Sequence, residues 1–364
     1  MPVQLVEAAS RQDFSARAKR HANAGRHEAV PGCLHIGLIN NMPDGALKAT
    51  ERQFLTLLGS AADGVLVYLS LYALPDLPRS QSGRSHVDRF YSSVENLWDS
   101  HLDGLIVTGT EPRAPRLADE PYWGSFTKVL EWAEHNTHSS VWSCLAAHAA
   151  ILHIDGIGRR RLEEKRFGVF ECARASDHQL TAGIPSLFQM PHSRWNDIPE
   201  NELMDCGYRV LTRAKDGGVD AFVKERKSLF VCFQGHPEYE TNTLLLEYRR
   251  DVGRYLRGER ETYPLMPEGY FDRDTADVLT KLQVRTLANR HKELLTEFPT
   301  ELLAKGVENT WRSASVKLYC SWLAYLSAQK ERRLKERVPR LSVKKERAFP
   351  VSERSFLRAG TFRE

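Results

Sequence analysis

The sequence has no apolar run that approaches the roughly 20 residues needed to cross a lipid bilayer. Residues 1–30 also lack the apolar segment that a secretory signal requires. The first absence excludes a membrane-spanning protein, and the second argues against secretion. We therefore expect a protein that works in the cytoplasm and has no membrane partner.

Cysteine is sparse, with six residues in a chain of 364. None of them forms a C-x-x-C pair, and no spacing of cysteine and histidine resembles a zinc site. Isolated cysteines in a large chain are typical of reduced thiols rather than of a disulfide framework. The sequence therefore predicts no metal centre.

Net charge is small, because 51 basic residues are nearly balanced by 47 acidic ones, leaving +4. The positive excess lies in residues 330–364, where twelve basic residues face five acidic ones. That segment offers few aromatic side chains on which bases could stack. We interpret it as a solvated tail and expect no nucleic-acid partner.

Short apolar segments alternate with amphipathic ones in the first half of the chain. Strands are expected at 34–40, 64–70, 102–109 and 140–143, and helices at 46–58 and 122–134. This alternation predicts an α/β fold whose mostly parallel sheet is flanked by helices on both faces. In such a sheet, binding sites form at the carboxyl ends of the strands.

Helical elements follow this α/β region. Residues 274–305 form a polar helical stretch, and 311–329 form a helix with an apolar stripe. We therefore predict one domain over residues 33–329, with added C-terminal helices. A flexible N-terminal arm over 1–32 precedes the domain, and the basic C-terminal tail of 330–364 follows it.

Cys144 lies where the apolar strand at 140–143 meets the start of an alanine-rich helix. A cysteine attacks as the thiolate, so it needs a base or a positive field close by. The N-terminus of a helix supplies such a field, and the N–H of Leu145 there is a candidate donor to an oxyanion. A lone cysteine at such a junction is more often a small buried side chain, as we expect for Cys232.

A candidate base for this thiol follows a later apolar strand, in His236 and Glu238. Two residues apart in an extended backbone, their side chains point the same way, and Pro237 between them restrains the backbone. Glu238 could then orient His236, as the acid does in a catalytic triad. Together with Cys144, this pair predicts a Cys–His–Glu catalytic set.

The set resembles that of the class I glutamine amidotransferases, which combine a strand–Cys–helix elbow with a His-x-Glu pair. Their tight elbow usually has glycine two residues to either side of the cysteine. Trp142 and Ala146 occupy those positions here, which counts against glutaminase chemistry.

A closer resemblance is to the homoserine O-succinyltransferase family, which shares the amidotransferase-like fold with its flavodoxin-like layers. The resemblance extends from about Leu34 to about Tyr325, and it is specific because many short segments recur in order and at matching spacing. These segments are Asn41-Met-Pro, Thr50-Glu51-x-Gln53-Phe54-Leu55, Asp103 to Gly109, Tyr122-Trp123, Cys144 with Ala149-Ala150, Glu164-Lys165-x-x-Gly168-Val169, Pro191 to Arg194, Gly235 to Tyr239, Arg250-Asp251 and Trp311 to Ser313.

The resemblance implies ping-pong transfer of an acyl group from acyl-CoA to the hydroxyl of L-homoserine, in the synthesis of methionine. By resemblance, the acyl group would pass through a thioester on Cys144. His236 would take the thiol proton and later activate the homoserine hydroxyl, and Glu238 would orient His236.

The resemblance also implies roles in substrate binding. Arg250 would hold the homoserine carboxylate, to which a two-pronged guanidinium is suited. Lys165 and Ser193 match substrate-contacting positions of the family. No cofactor is implied beyond CoA as a co-substrate, and the family implies a homodimer. The stretch 257–309 is longer than usual in the family and constitutes a helical insertion.

Arg113 lies at the position where the family chooses its acyl donor. A glycine there goes with succinyl-CoA and a glutamate with acetyl-CoA. An arginine is neither, but its charge could pair with the free carboxylate of a succinyl group or hold a CoA phosphate. We favour succinyl-CoA as the donor.

Other interpretations stay open at this point. The altered loop around Arg113 is compatible with a homoserine O-acetyltransferase using acetyl-CoA, or with another hydroxy amino acid as acceptor. An amidotransferase-like hydrolase of glutamine would have to form its elbow without the usual glycines. A non-catalytic binding protein would leave the Cys–His–Glu set without a role.

Overall fold

A computed structural model of the chain describes residues 2–6, 32–215 and 218–345. These residues form ten strands in one sheet and ten α-helices. The strands are β1 (Val3–Leu5), β2 (Cys33–Ile39), β3 (Leu66–Tyr72), β4 (Gly104–Val107), β5 (Ser139–Ser143), β6 (Arg160–Arg174), β7 (Leu187–Asp197), β8 (Arg209–Ala214), β9 (Val219–Glu225) and β10 (Leu229–Phe233). The helices are α1 (Leu47–Ala61), α2 (Gln81–Phe90), α3 (Glu95–Trp98), α4 (Trp123–Asn136), α5 (Leu145–Asp155), α6 (Glu200–Asp205), α7 (Thr243–Leu256), α8 (Arg273–Ala288), α9 (Thr300–Lys305) and α10 (Arg312–Lys345).

The strand order across the sheet is β1-β3-β2-β4-β5-β10-β9-β8-β6-β7. Every pairing from β1 to β10 in this order is parallel, and the four remaining pairings are antiparallel. The stretch β3-β2-β4-β5-β10 has the flavodoxin-like order, in which the second strand lies outside the first. The predicted α/β class, with a mostly parallel sheet and flavodoxin-like layers, is confirmed.

Helices cover both faces of the sheet because successive strand residues point to opposite sides. In β4, Ile106 joins a core packed against α1 and α10, whereas Leu105 and Val107 join the core packed against α4 and α5. In β5, Val141 and Trp142 divide in the same way. The continuous apolar runs in the sequence therefore reflect strands that are buried on both sides.

A third core lies under the predicted insertion of 257–309. It packs α7 against α8 and α9, and Trp311 at its centre is fully buried and donates its indole N–H to the carbonyl of Tyr239 at 2.9 Å. The predicted helical stretch of 274–305 is interrupted: α8 ends at Ala288, a 3₁₀ turn follows, and α9 begins after Pro299. Proline lacks the N–H that a continuous helix would use.

The long antiparallel hairpin of β6 and β7 was not predicted from the sequence. Six of the first seven residues of β6 are charged, so the strand has neither an apolar run nor a clear alternation at its start. Residues 160–161 and 166–173 pair with β7, with an irregularity between them. This hairpin carries Lys165 and Ser193 to the carboxyl edge of the sheet.

Both predicted terminal segments contribute to the folded domain. Within the predicted arm of 1–32, β1 pairs with β3, while residues 7–31 lie outside the described part of the chain. The boundary predicted between 329 and 330 lies inside α10, and Lys330 is buried. Residues 346–364 of the predicted tail lie outside the described part. None of the described helices combines the length and the apolar character needed to cross a membrane.

Candidate active site

Cys144 forms the elbow between β5 and α5 that its position in the sequence predicts. Its φ of +50° is unusual for a residue other than glycine, and its N–H donates to the carbonyl of Phe233 at 2.7 Å. A positive φ at this turn projects the side chain from the carboxyl edge of the sheet. Trp142 and Ala146 are both buried, so the elbow forms without glycine at either position.

His236 and Glu238 follow β10, the strand next to β5, and their side chains point the same way as predicted. The Nδ1 of His236 lies 2.8 Å from Oε1 of Glu238, and both residues are buried. A carboxylate can only accept, so Nδ1 carries the proton and Nε2 remains for the thiol of Cys144. The ring also stacks on Tyr239, with centroids 4.2 Å apart, which restrains its orientation.

The electrostatics of His236 favour its charged form. Burial acts to lower its pKa, but the negative charges of Glu238 and Cys144, and hydrogen bonds to both, outweigh burial and raise the pKa well above its ordinary value. The surroundings of His236 therefore favour an imidazolium beside the side chain of Cys144. The structure thus brings together the three residues of the predicted catalytic set.

Leu145 is the first residue of α5, where a backbone N–H has no acceptor within the helix. Gly109, at the end of β4, lies against it: a Cβ on Gly109 would fall 2.8 Å from the Leu145 Cβ and 3.1 Å from its nitrogen. The missing side chain at 109 leaves the space beside this N–H open. The position suits the oxyanion donor that the sequence analysis predicts.

Lys165 and Ser193 meet at a carboxylate that the sequence analysis missed, Glu247 of α7. Ser193 donates its hydroxyl to Oε2 of Glu247 at 2.6 Å, and Lys165 Nζ lies 3.9 Å from the same oxygen. Tyr239, which stacks on His236, donates to Oε1 of Glu247. Glu247 therefore connects the predicted substrate-binding residues Lys165 and Ser193 to the ring that stacks on His236.

Arg250 lies on the same helix, at the edge of this polar cluster. Its Nε donates to Oδ1 of Asp251 at 2.9 Å, and its side chain remains 49% exposed. Asp251 also faces Lys165, at 3.5 Å. Burial lowers the pKa of Lys165, and the two carboxylates Glu247 and Asp251 act against that shift. The cluster thus presents both a free guanidinium surface and a carboxylate.

Arg113 is exposed and does not line the same cleft as Cys144. It lines a neighbouring cleft of about 310 Å³, and Thr110 and Pro112 contribute to both. Its backbone N–H donates to Glu120 at 2.6 Å, which fixes the loop rather than the side chain. The structure therefore places Arg113 beside the catalytic cleft and not within it.

The sequence analysis also missed a buried polar network behind Cys144. Nε2 of His148 lies 3.0 Å from Oε1 of Gln234, whose amide nitrogen donates to Asp197 at 2.9 Å. Asp197 pairs with the buried guanidinium of Arg194 at 2.9 Å. Burial lowers the pKa of His148 to about 3, so this histidine is neutral. His148 lies between alanines in the sequence, and no residue next to it indicates that it joins this buried network.

In the described part of the chain, one group of side chains has metal-ligand chemistry: Cys172, His192 and Asp220, whose ligand atoms lie within 4.8 Å of one another. All three are buried, and burial raises the pKa of the Cys172 thiol far above its ordinary value. A thiol must lose its proton to bind a metal, so this packing disfavours binding. The group supports the sheet behind His236.

Comparisons with known proteins identify the family of the chain. A family model for homoserine O-succinyltransferase matches residues 12–333. A homoserine O-succinyltransferase of Rhodopseudomonas palustris is 43% identical over 314 residues, covering 86% of this chain and 94% of its own. One from Methylorubrum extorquens is 45% identical over 300 residues, covering 82% and 89%. Among solved structures, a glutamine amidotransferase from Thermotoga maritima aligns with a TM-score of 0.41 at 12% identity, over 76% of this chain and 99% of that one.

Proposed function

Because the chain belongs to the homoserine O-succinyltransferase family, we propose that it transfers the succinyl group of succinyl-CoA to the hydroxyl of L-homoserine, a step of methionine synthesis. The observation that carries the catalytic part is the buried pair of His236 and Glu238 next to a cysteine on a strained strand–helix turn. This combination supplies a nucleophile, a base and an orienting acid.

In the first half-reaction, His236 holds the proton of Cys144 and the thiolate attacks the carbonyl carbon of the thioester. The negative charge that develops on the carbonyl oxygen is stabilised by the N–H of Leu145. As the tetrahedral adduct collapses, the bond to the CoA sulfur breaks and His236 returns its proton to that sulfur. Free CoA leaves, and the succinyl group remains on Cys144 as a thioester.

In the second half-reaction, acylation has removed the thiolate charge that helps to raise the pKa of His236. His236 has given its proton to CoA and its lowered pKa keeps the imidazole neutral, so the ring can take the proton of the homoserine hydroxyl. The hydroxyl oxygen attacks the acyl carbon, the bond to Cys144 breaks, and the proton returns to the cysteine sulfur. The products are O-succinyl-L-homoserine and the free enzyme.

Homoserine carries a carboxylate and an ammonium group, and the polar cluster offers a partner for each. The half-exposed guanidinium of Arg250 suits the carboxylate. Glu247, held by Ser193, suits the ammonium group. The positive charge of Lys165 lies close to the carboxylates of Glu247 and Asp251 and partly neutralises them. The stacked pair of Tyr239 and His236 would then place the base next to the bound hydroxyl.

The acyl donor, the oligomeric state and the cellular compartment remain to be assigned. Arg113 would act at the rim of the catalytic cleft, on the succinyl carboxylate or on the loop that shapes the cleft. We also propose a cytoplasmic homodimer that uses no cofactor beyond CoA as co-substrate and has no nucleic-acid or membrane partner. The free thiols of all six cysteines support a reducing compartment.

Intact-mass spectrometry after incubation with succinyl-CoA, without homoserine, tests the function. We expect one succinyl group per chain, located on Cys144 and discharged when L-homoserine is added. Cys144→Ala should abolish the adduct, and Cys232→Ala, which changes a buried thiol on β10, should keep it. An adduct with acetyl-CoA but not with succinyl-CoA would show that succinyl-CoA is not the acyl donor. No adduct with either would overturn the acyl-enzyme mechanism.

A further inference from the structure

The cleft that contains Cys144 has a volume of about 780 Å³. Its lining includes apolar side chains, among them Leu117, Leu145 and Leu152. It also includes guanidinium groups, among them those of Arg159 and Arg161. Such a cleft suits a ligand that has a long, largely uncharged arm and an anionic end.

The arginines of this cleft differ in whether their charge is neutralised. Arg194 pairs with Asp197 at 2.9 Å, and Arg116 pairs with Asp119 at 2.7 Å. Among the residues that the structure describes, neither Arg159 nor Arg161 forms an ion pair with a carboxylate. The charges of Arg159 and Arg161 act against each other, while Glu120 acts on Arg159 without forming an ion pair with it. An anion that binds both guanidinium groups removes the repulsion between them.

Arg160, between these two in sequence, behaves in the opposite way. Its side chain is 66% exposed, it pairs with Glu202 at 2.7 Å, and it does not line the cleft. Arg159 directly precedes β6 and Arg161 is its second residue; both line the cleft, and Arg160 between them does not. The three consecutive arginines therefore differ in position: two line the cleft, and the one between them forms an ion pair outside it.

Trp195 restrains one of the two unpaired cations. It is half-buried, lines the same cleft, and lies under the guanidinium of Arg161 at 4.3 Å from the ring centroid. A guanidinium stacked on an indole loses less freedom when it binds an anion, because its plane is already held.

We propose that Arg159 and Arg161 bind the phosphate groups of the CoA moiety of the acyl donor, with Trp195 as a positioning residue for Arg161. This rests on the proposed function, since it assigns the nucleotide end of that donor. CoA has a diphosphate and a further phosphate on its ribose, and guanidinium groups bind phosphate through two parallel hydrogen bonds. Its pantetheine arm would lie against the apolar side chains of the cleft and bring the thioester to Cys144.

The test compares two donors, succinyl-CoA and succinyl-pantetheine, which carries the same thioester without the nucleotide. The double variant Arg159→Ala/Arg161→Ala should raise the KM for succinyl-CoA by about tenfold or more for each guanidinium removed. Its kcat/KM with succinyl-pantetheine should match that of the unaltered enzyme. Arg160→Ala removes one positive charge from the residue between them and should leave the kinetics with both donors unaffected.

Trp195 has a separate readout. Trp195→Leu should raise the KM for succinyl-CoA while kcat stays the same, and Trp195→Phe should restore most of the affinity, because a phenyl ring can also stack on the guanidinium. A fall of kcat with both donors in Trp195→Leu would show a structural role instead and overturn this assignment.

Three results would overturn the phosphate assignment. The first is a double variant that retains the KM of the unaltered enzyme for succinyl-CoA. The second is an equal loss with both donors, which would place the guanidiniums on the succinyl carboxylate. The third is calorimetric binding of free CoA that is the same in the unaltered protein and the double variant. The calorimetry needs no turnover, so failure of the proposed function is distinguishable from failure of this site.

Discussion

The backbone N–H of Cys144 donates a hydrogen bond of 2.7 Å to the carbonyl oxygen of Phe233. This bond continues the parallel pairing of β5 with β10 by one residue beyond the last paired positions, Ser143 and Phe233. Cys144 therefore lies directly after one strand, and the segment that leads to His236 starts at the end of the neighbouring strand. The relative position of the two residues is thus set by the register of β5 and β10.

The positive φ of Cys144 predicts that the cysteine side chain, which the proposed reaction needs, lowers the stability of the fold. Glycine adopts this backbone conformation without the cost that a Cβ imposes, which is about 1 kcal/mol or more. We expect Cys144→Gly to unfold at higher urea concentration than Cys144→Ala, although both lack activity. Equilibrium unfolding of the two variants measures the difference. Equal midpoints would show that the turn is not strained.

Glu238 is predicted to control the pH dependence of acylation. Burial alone would lower the pKa of His236, and the charges of Glu238 and Cys144 raise it instead. Glu238→Gln removes one of those charges, so the pKa of His236 falls and its imidazolium is lost at lower pH. Since the imidazolium protonates the departing CoA sulfur, the alkaline limb of the acylation rate should move to lower pH.

Rapid mixing with succinyl-CoA at a series of pH values, without homoserine, measures this limb. Glu240→Gln is a matched control, because Glu240 lies two residues further on and pairs with Arg52 at 2.6 Å. An alkaline limb that stays in place in Glu238→Gln would contradict the assigned role.

Gly109→Ala is predicted to damage catalysis without unfolding the protein. The added Cβ would fall 3.1 Å from the nitrogen of Leu145 and would occupy the space beside its N–H. Loss of an oxyanion donor typically lowers kcat by about 10²–10³-fold. Gly124→Ala, where nothing lies within 4 Å of the added methyl group, is the control. Near-normal turnover in Gly109→Ala would exclude Leu145 as the donor.

Arg250 is predicted to act in the second half-reaction only. Arg250→Ala should raise the KM for homoserine by about tenfold or more, the effect of losing a charge-assisted contact. The rate of acylation by succinyl-CoA, measured without homoserine, should not change. Arg249→Ala removes the same charge from the neighbouring exposed position and serves as the control. Slower acylation in Arg250→Ala would contradict the assignment.

Much of the parallel half of the fold could be predicted, because its strands are buried on both faces and appear as continuous apolar runs. Cys144 and His236 could be named as candidates because Cys144 directly follows one predicted strand and His236 follows shortly after another, and the structure pairs these two strands. The start of β6 could not be predicted, because six of its first seven residues are charged and show no apolar pattern typical of a strand. Its pairing with β7 becomes favourable only through contacts distant in sequence.

Glu247 shows why part of the site was missed. It lies on α7 between three leucines and Tyr248, and no motif nearby in the sequence distinguishes it. Its role arises from tertiary packing, which brings the hydroxyls of Ser193 and Tyr239 to its two oxygens. Arg113 shows the reverse. Its position in the loop was predicted to matter, yet the loop directs it into the neighbouring cleft.

Lys330 was predicted to begin a solvated tail, but it is buried and donates to Oδ2 of Asp103 at 2.9 Å and to the carbonyl of Cys33 at 3.0 Å. Removing one partner of a buried pair leaves the other charge uncompensated, at a cost of about 3–5 kcal/mol. We therefore expect Lys330→Ala to lower the free energy of unfolding by about 3 kcal/mol, measured in urea. Lys335→Ala, one turn further along α10 with its side chain 82% exposed, should lower it by less than about 0.5 kcal/mol. Equal losses in the two variants would mean that the C-terminal helix contributes through its length and not through this ion pair.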